Sequence, residues 1–379
     1  MGFRIVDSNS SRHRRWGIKT SLQTSLYEIC MRVNAYDGNR RNQAKQSILA
    51  SPLPISLNSP SAILGHRAQF AALRQDLEQD NVTHAYIFSG APHLGKFTVA
   101  QWFGRQLLCH GRSDAECRAI GEQVDRLLHP DFLVIDQLWI EDVCEDFSVI
   151  ARSSNIPQQH RSKDSPAKTD TISIDDIRAV QERLHEVGDG KFRVCIIRSV
   201  ERMQTAAVSS LLKILEEPPE GVVFLLTTQN LASLLPTLVS RARTLRFTRL
   251  TDADLEPALA GATDEERQFL LRIAQGAPGV VRRLRDNPDL LRAERQAYSS
   301  ALAFWHSRSP VERLQLLAPL HERSDAATQF LLHLSLAFRE EHDELPPSNV
   351  AHLMDLCRNL ETNVNRQLLT QEFVLALSD

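Results

Sequence analysis

His84-Ala85-Tyr86-Ile87-Phe88-Ser89-Gly90-Ala91-Pro92-His93-Leu94-Gly95-Lys96-Phe97-Thr98 is the stretch from which the rest of the chain can be read. Ala85 to Phe88 is a short run of apolar and aromatic residues, the pattern of a buried strand. It runs into a loop bounded by Gly90 and Gly95, and a helix is expected from Thr98 to Leu108. A strand, a glycine loop ending in lysine and then a helix is the setting of a phosphate-binding loop. Glycines let backbone N–H groups approach a phosphate, and the helix N-terminus adds positive potential. Gly90, Gly95 and Lys96 are therefore candidate nucleotide-binding residues, with Lys96 as the point charge for the β- and γ-phosphates.

The next position breaks the pattern. A working loop places Ser or Thr after the lysine, because the hydroxyl ligates Mg²⁺. Here the residue is Phe97, whose ring cannot coordinate a hard cation. Thr98 lies one residue on, about 100° round the helix, and does not replace it.

Outward from this loop the chain alternates short apolar strands with helices. A helix with an apolar stripe at Phe70, Leu73 and Leu77 is expected over 65–80. Strands are expected at 132–135, 194–197, 222–226 and 244–247. A helix spans 177–187, and another carries Val208, Leu211, Leu212 and Leu215 at i, i+3, i+4 and i+7, one buried face. Residues 140–170 are polar and read as an inserted surface loop. This pattern implies a mainly parallel sheet covered on both faces. After Leu250 no strand remains. Residues 252–290 read as three short helices broken at Gly276-Ala277-Pro278-Gly279, and 291–379 as four or five longer ones broken near Pro310 and Pro346-Pro347. The expected fold is an α/β phosphate-loop domain over 61–250, a three-helix lid over 251–290 and an all-α domain over 291–379.

The third strand carries a second anomaly. Phosphate-loop ATPases place an Asp at its end to support Mg²⁺. After Val194 to Ile197 this chain has Arg198-Ser199. A guanidinium repels the metal and, always protonated, is no base. Both losses fall on the metal side, so weak binding of a nucleotide through Lys96 and backbone amides is still compatible with the sequence.

Composition bounds the rest. The 379 residues are 42% hydrophobic with a net charge of −3, which suits a packed protein of two or three domains and not a basic nucleic-acid binder. The apolar runs are too short for a membrane span. The six cysteines are scattered, which favours free thiols in a reducing cytoplasm. Residues 1–45 carry nine Lys or Arg against three Asp or Glu, and a Pro/Ser-rich linker follows through Pro60. Residues 1–60 read as a disordered tail or an early start codon, with a transit peptide or a DNA-touching arm as alternatives.

Several segments, in order, resemble the AAA+ clamp-loader subunits of replication. They are most similar to the delta-prime branch of the bacterial DNA polymerase III loader and more broadly to the gamma/tau and replication factor C small-subunit family. The segments are Ile63-Leu64-Gly65-His66, His84 to Gly90, His129-Pro130-Asp131-Phe132 and Ser173-Ile174-Asp175-Asp176-Ile177-Arg178. The most distinctive is Leu211-Leu212-Lys213-Ile214-Leu215-Glu216-Glu217-Pro218-Pro219. It is followed by Leu225-Leu226-Thr227-Thr228, like a sensor 1 region, and Leu235-Pro236-Thr237-Leu238-Val239-Ser240-Arg241. The likeness is good over 62–290 and looser beyond, where Asn365 to Leu377 is similar to the family's last collar helix.

What the resemblance implies is a role without hydrolysis. In that family the Arg of a Ser-Arg-Cys motif enters the ATP site of the neighbouring subunit. Ser240 and Arg241 match the first two positions, and Ala242 stands where Cys is usual. Arg241 is thus the candidate arginine finger in trans, and Arg243 and Arg246 read as solvated. Arg282 sits near the sensor 2 position, a weaker candidate for a phosphate contact. The family's four-cysteine zinc site is reduced to Cys109 and Cys117 beside His110, so no zinc is expected and no cofactor is required. The implied partners are gamma/tau-type ATPase subunits, a delta-type subunit, the sliding clamp and, through the complex, primed DNA. No membrane partner is implied. The turn at Glu216 to Pro219 is a candidate surface for the clamp or DNA. An active gamma-type ATPase and a DNA-binding accessory protein are the alternatives.

Overall fold

A computed structural model describes residues 63–135, 172–184, 188, 190–341, 346 and 348–377. The tail and linker over 1–60 and the insertion over 140–170 lie outside the described residues, as do 185–187 of the expected helix. The described chain forms two bodies, divided between Pro288 and Asp289.

The first body is built on a five-stranded sheet of order β2-β3-β4-β1-β5, with every pairing parallel. The strands are β1 (Ala85–Ser89), β2 (Phe132–Ile135), β3 (Arg193–Ile197), β4 (Val222–Thr228) and β5 (Arg243–Arg246). The first four are buried along their whole length, as expected of apolar runs covered on both faces. The edge strand β5 is half-buried and polar. Arg243, expected to be solvated, instead pairs with Asp76, a carboxylate buried in α1 (Arg67–Glu78) that also accepts from Tyr86 Oη at 3.0 Å. A buried acid needs a partner, and the edge strand supplies it. Arg246 remains exposed.

Helix α2 (Lys96–Leu108) follows β1 and fills one face with Val99, Trp102, Phe103 and Leu107. Its partner α3 (Asp114–Asp125) was not anticipated, because only Ile120 and Val124 are buried large residues. The legible signal was Ser113-x-x-Glu116. The Ser113 hydroxyl accepts from Glu116 N while the Glu116 carboxylate accepts from Ser113 N at 2.8 Å, a complete capping box. Ser113→Ala is expected to cost about 1 kcal/mol, read as a lower denaturant midpoint with hydrogen exchange in α3 accelerated; equal midpoints would remove this account of the helix.

The opposite face holds α4 (Ile174–Leu184) and α5 (Thr205–Glu216), packed on each other and on the sheet. The face of α5 is rotated from the expected one. Ala207, Leu211, Ile214 and Leu215 are buried, while Val208 and Leu212 flank them half-buried. The stripe is centred on i, i+4, i+7 and i+8, so the small Ala207 rather than Val208 meets the sheet. The short helix α6 (Pro236–Val239) leads into β5.

Three lid helices complete this body: α7 (Asp252–Leu255), α8 (Asp264–Ala274) and α9 (Pro278–Asp286). Pro278 is at the start of α9, where its missing N–H costs nothing. The second body holds α10 (Pro288–His306) from its second residue onward, with α11 (Pro310–Leu316), α12 (Asp325–Glu340), α13 (Ser348–Leu360) and α14 (Arg366–Ala376). Its centre is aromatic: Phe304 stacks on Phe373 at 5.8 Å, and Trp305 packs on Phe338 and donates to Leu334 O at 2.9 Å. Among the described residues, no helix is long and apolar enough to cross a membrane.

Candidate functional site

The loop after β1 sits at the C-terminal end of a central strand, between β4 and β5. Gly90 is required there: a Cβ would lie 2.3 Å from the Phe247 carbonyl oxygen. Gly95, in the left-handed region at φ 85°, caps α2 and has open space around its Cβ position. The first N–H groups of α2 have no intrahelical acceptor, as at any helix start.

The loop's own carbonyls are already taken. Lys96 Nζ donates to Gly90 O and Ala91 O, both at 2.6 Å. His66 Nε2 meets Leu94 O at 2.8 Å, and Gly279 N, in the first turn of α9, donates to His93 O at 2.9 Å. The lid is thus hydrogen-bonded directly to the loop. Burial lowers Lys96 to about 8, with Arg198 pushing the same way and Glu201 opposing. The lysine expected to reach outward to phosphates is folded back on its own turn.

Phe97 and Arg198, two separate departures in the sequence, are one feature in space. The Arg198 guanidinium carbon stands 4.4 Å from the centroid of the Phe97 ring. Arg198 N also donates to Ile135 O at 3.0 Å, which holds the residue at the end of β3. A cation over a ring is worth about 0.5–2 kcal/mol. The stack joins the two positions from which a phosphate-loop ATPase supplies a hydroxyl and a carboxylate to Mg²⁺. The residues present do not fit that ion. Among the described residues, no group of three or more His, Cys, Asp or Glu is placed to hold a metal.

Glu201, which sequence reasoning missed, is the carboxylate that acts on Lys96. It lies in the 3-10 turn after β3, and its Oε1 accepts from Gln229 N at 3.1 Å. Its signal was only a lone acid after the third strand. Arg282, offered as a phosphate contact, pairs instead with Asp286 one turn along α9 at 3.4 Å. Its neighbour Arg283 is the lid cation whose charge falls on His93.

Arg241 occupies a separate corner. It follows α6, a third exposed, with Nη1 donating to Thr237 O at 2.9 Å and Nη2 to Glu216 Oε1 at 2.8 Å. Ser240 Oγ donates to Thr237 O at 3.1 Å, closing the same turn. Glu216 is the last residue of α5, so the Leu-Glu-Glu-Pro-Pro stretch and the Ser-Arg stretch meet here. Ala242, in the usual Cys position, packs against the core beneath. The structure therefore brings together two sets: Gly90, Gly95 and Lys96 with Phe97 and Arg198 in the loop site, and Ser240 and Arg241 with Glu216 at the corner.

The profile of the family described as "DNA polymerase III, delta subunit" matches residues 65–251, the sheet and both of these sites. Over that half of its length this chain is similar to subunits of DNA polymerase III. Relatives of known name agree. The delta-prime subunit of Bacillus subtilis is 27% identical over 278 residues, 72% of this chain and 71% of that protein. The tau/gamma subunit of Haemophilus influenzae is 27% identical over 227 residues, 58% of this chain and 29% of that protein. The tau subunit of Bacillus subtilis is 25% identical over 221 residues, covering 58% and 34%. The chain thus spans about a third of these tau and tau/gamma relatives and about 71% of the delta-prime relative. The family match takes in the sheet and ends just before the lid helices, and the second body lies beyond it.

Proposed function

We propose that this chain is a delta-prime-type clamp-loader subunit that does not hydrolyse ATP. It works in the cytoplasm within a hetero-oligomer, beside gamma/tau-type ATPase subunits and a delta-type subunit. It donates Arg241 to the ATP site of a neighbour and helps place the sliding clamp on primed DNA. One observation carries this reading: the Arg198–Phe97 stack lies where the oxygen ligands of the nucleotide's cation are needed. The retreat of Lys96 onto Gly90 and Ala91 supports it, as does a delta-prime relative that this chain matches along most of both lengths. An active ATPase of the gamma type would require the cation to be held without either position.

The isolated chain is expected to turn over no ATP above background. Converting both positions together, Phe97→Thr with Arg198→Asp, is expected to raise Mg²⁺-dependent nucleotide affinity at least tenfold, about 1.4 kcal/mol, measured by calorimetric titration with and without chelator. Turnover by the unmodified chain that disappears in Lys96→Ala would overturn the proposal.

A further inference from the structure

Helices α2 and α3 form a hairpin whose closed end holds two thiols. Cys109 is the residue after α2, and Cys117 lies in the first turn of α3. The turn between them is tightly wound: Arg112 N donates to Cys109 O at 3.1 Å, and Cys117 N to Ser113 O at 2.9 Å. Each sulfur is directed at the other residue's backbone. Cys109 Sγ lies 3.9 Å from Cys117 O, and Cys117 Sγ lies 3.6 Å from Cys109 O. Both are free and partly exposed, whereas Cys195 and Cys357 are buried.

The close approach has a cause one turn further along α3. A Cβ on Gly121 would lie 2.3 Å from the Arg105 guanidinium carbon, so the glycine lets α3 settle onto α2. Arg105, one turn before Cys109, reaches across and donates to Cys117 O at 3.4 Å. The hairpin is thus held in the arrangement that sets the two thiols against each other, and among the described residues no third ligand joins them in a metal site.

We infer that Cys109 and Cys117 form a reversible intramolecular disulfide that staples the α2–α3 hairpin. The oxidant is a low-molecular-weight disulfide. The Cys117 sulfur attacks it, forming a mixed disulfide and releasing one thiol. The Cys109 sulfur then displaces the second thiol from Cys117. Two protein thiols lose two electrons and two protons, and the small disulfide becomes two thiols. Burial and the neighbouring Cys117 push the Cys109 thiol up to about 12, against the pull of Arg105, so the closing step quickens as pH rises.

The test uses the full chain equilibrated in glutathione buffers from fully reduced to fully oxidised, then alkylated and digested with trypsin without reduction. Cleavage after Arg105, Arg112 and Arg118 puts the two cysteines on separate peptides, 106–112 and 113–118. The expected result is a linked pair of these peptides that dominates in oxidised buffer, vanishes in reduced buffer, and is absent in Cys117→Ser. Digesting a mixture of unlabelled and isotope-labelled chains should give no pair of mixed mass. Full alkylation of both residues throughout the series, or linkage only between different chains, overturns the inference.

Discussion

Arg241→Ala is expected to leave the chain folded and assembled while lowering ATP hydrolysis by the reconstituted loader at least tenfold. The argument rests on what the guanidinium does in this chain and what it is proposed to do next door. Here it makes an ion pair with Glu216, the arginine a third and the acid half exposed, and a bond to Thr237 O. Exposed pairs of this kind contribute about 0–1 kcal/mol, so thermal stability should barely move. In a neighbour's ATP site the same charge would meet the γ-phosphate as negative charge spreads in the transition state, where an arginine finger is worth about 10³–10⁵ in rate. Tenfold, about 1.4 kcal/mol of barrier, lies well below that range and is therefore the least loss the role allows. Arg241→Lys keeps the charge but loses the planar fork, and should recover only part of the rate. Ser240→Ala, which removes only a bond within the turn, should retain most of it. Assembly is read by size-exclusion chromatography and hydrolysis by phosphate release in the presence of clamp and primed DNA. Unchanged hydrolysis in an assembled Arg241→Ala complex would remove Arg241 from the role.

The fold was largely legible because its strands are short apolar runs and its loop is marked by glycines. Tyr86-Ile87-Phe88 and Phe224-Leu225-Leu226 are buried on both faces, and nothing else in their composition competes with that reading. The site was legible only in its parts. Phe97 and Arg198 each look like a loss, but their stacking depends on two strands lying two places apart in the sheet, which no local pattern encodes. The Asp76–Arg243 pair escaped for the same reason, since an arginine on a short edge strand reads as solvated until a buried acid from another element is found beneath it. Lys96 shows a different limit. Its motif states what it would contact in the presence of phosphate, whereas the folded chain offers it two nearer carbonyls.

Asp131 supplies the larger stability effect. It precedes β2, with its side chain 2% exposed, and its Oδ1 accepts from Arg193 Nε at 3.0 Å. Arg193 opens β3 and sends its other nitrogens to the last carbonyls of α4, Nη1 to Leu184 O at 2.6 Å and Nη2 to Arg183 O at 2.7 Å. The cation therefore satisfies a helix C-terminus while the carboxylate balances it, and Val194 N donates to Asp131 O at 2.8 Å to join the strands. Asp131→Ala removes the balancing charge but leaves the guanidinium buried, which costs about 3–5 kcal/mol. Against a typical total of about 5–15 kcal/mol, that is a large share of the stability of the first body. Hydrogen exchange at Leu133 and Val194, which pair with residues of the neighbouring strand, should rise by at least a hundredfold. Joint replacement, Asp131→Leu with Arg193→Met, should restore much of the loss, because no buried charge is then left unpaired, although the α4 carbonyls must find water instead. An Asp131→Ala chain whose exchange at these amides rises less than fivefold would show that the pair does not hold β2, β3 and α4 together.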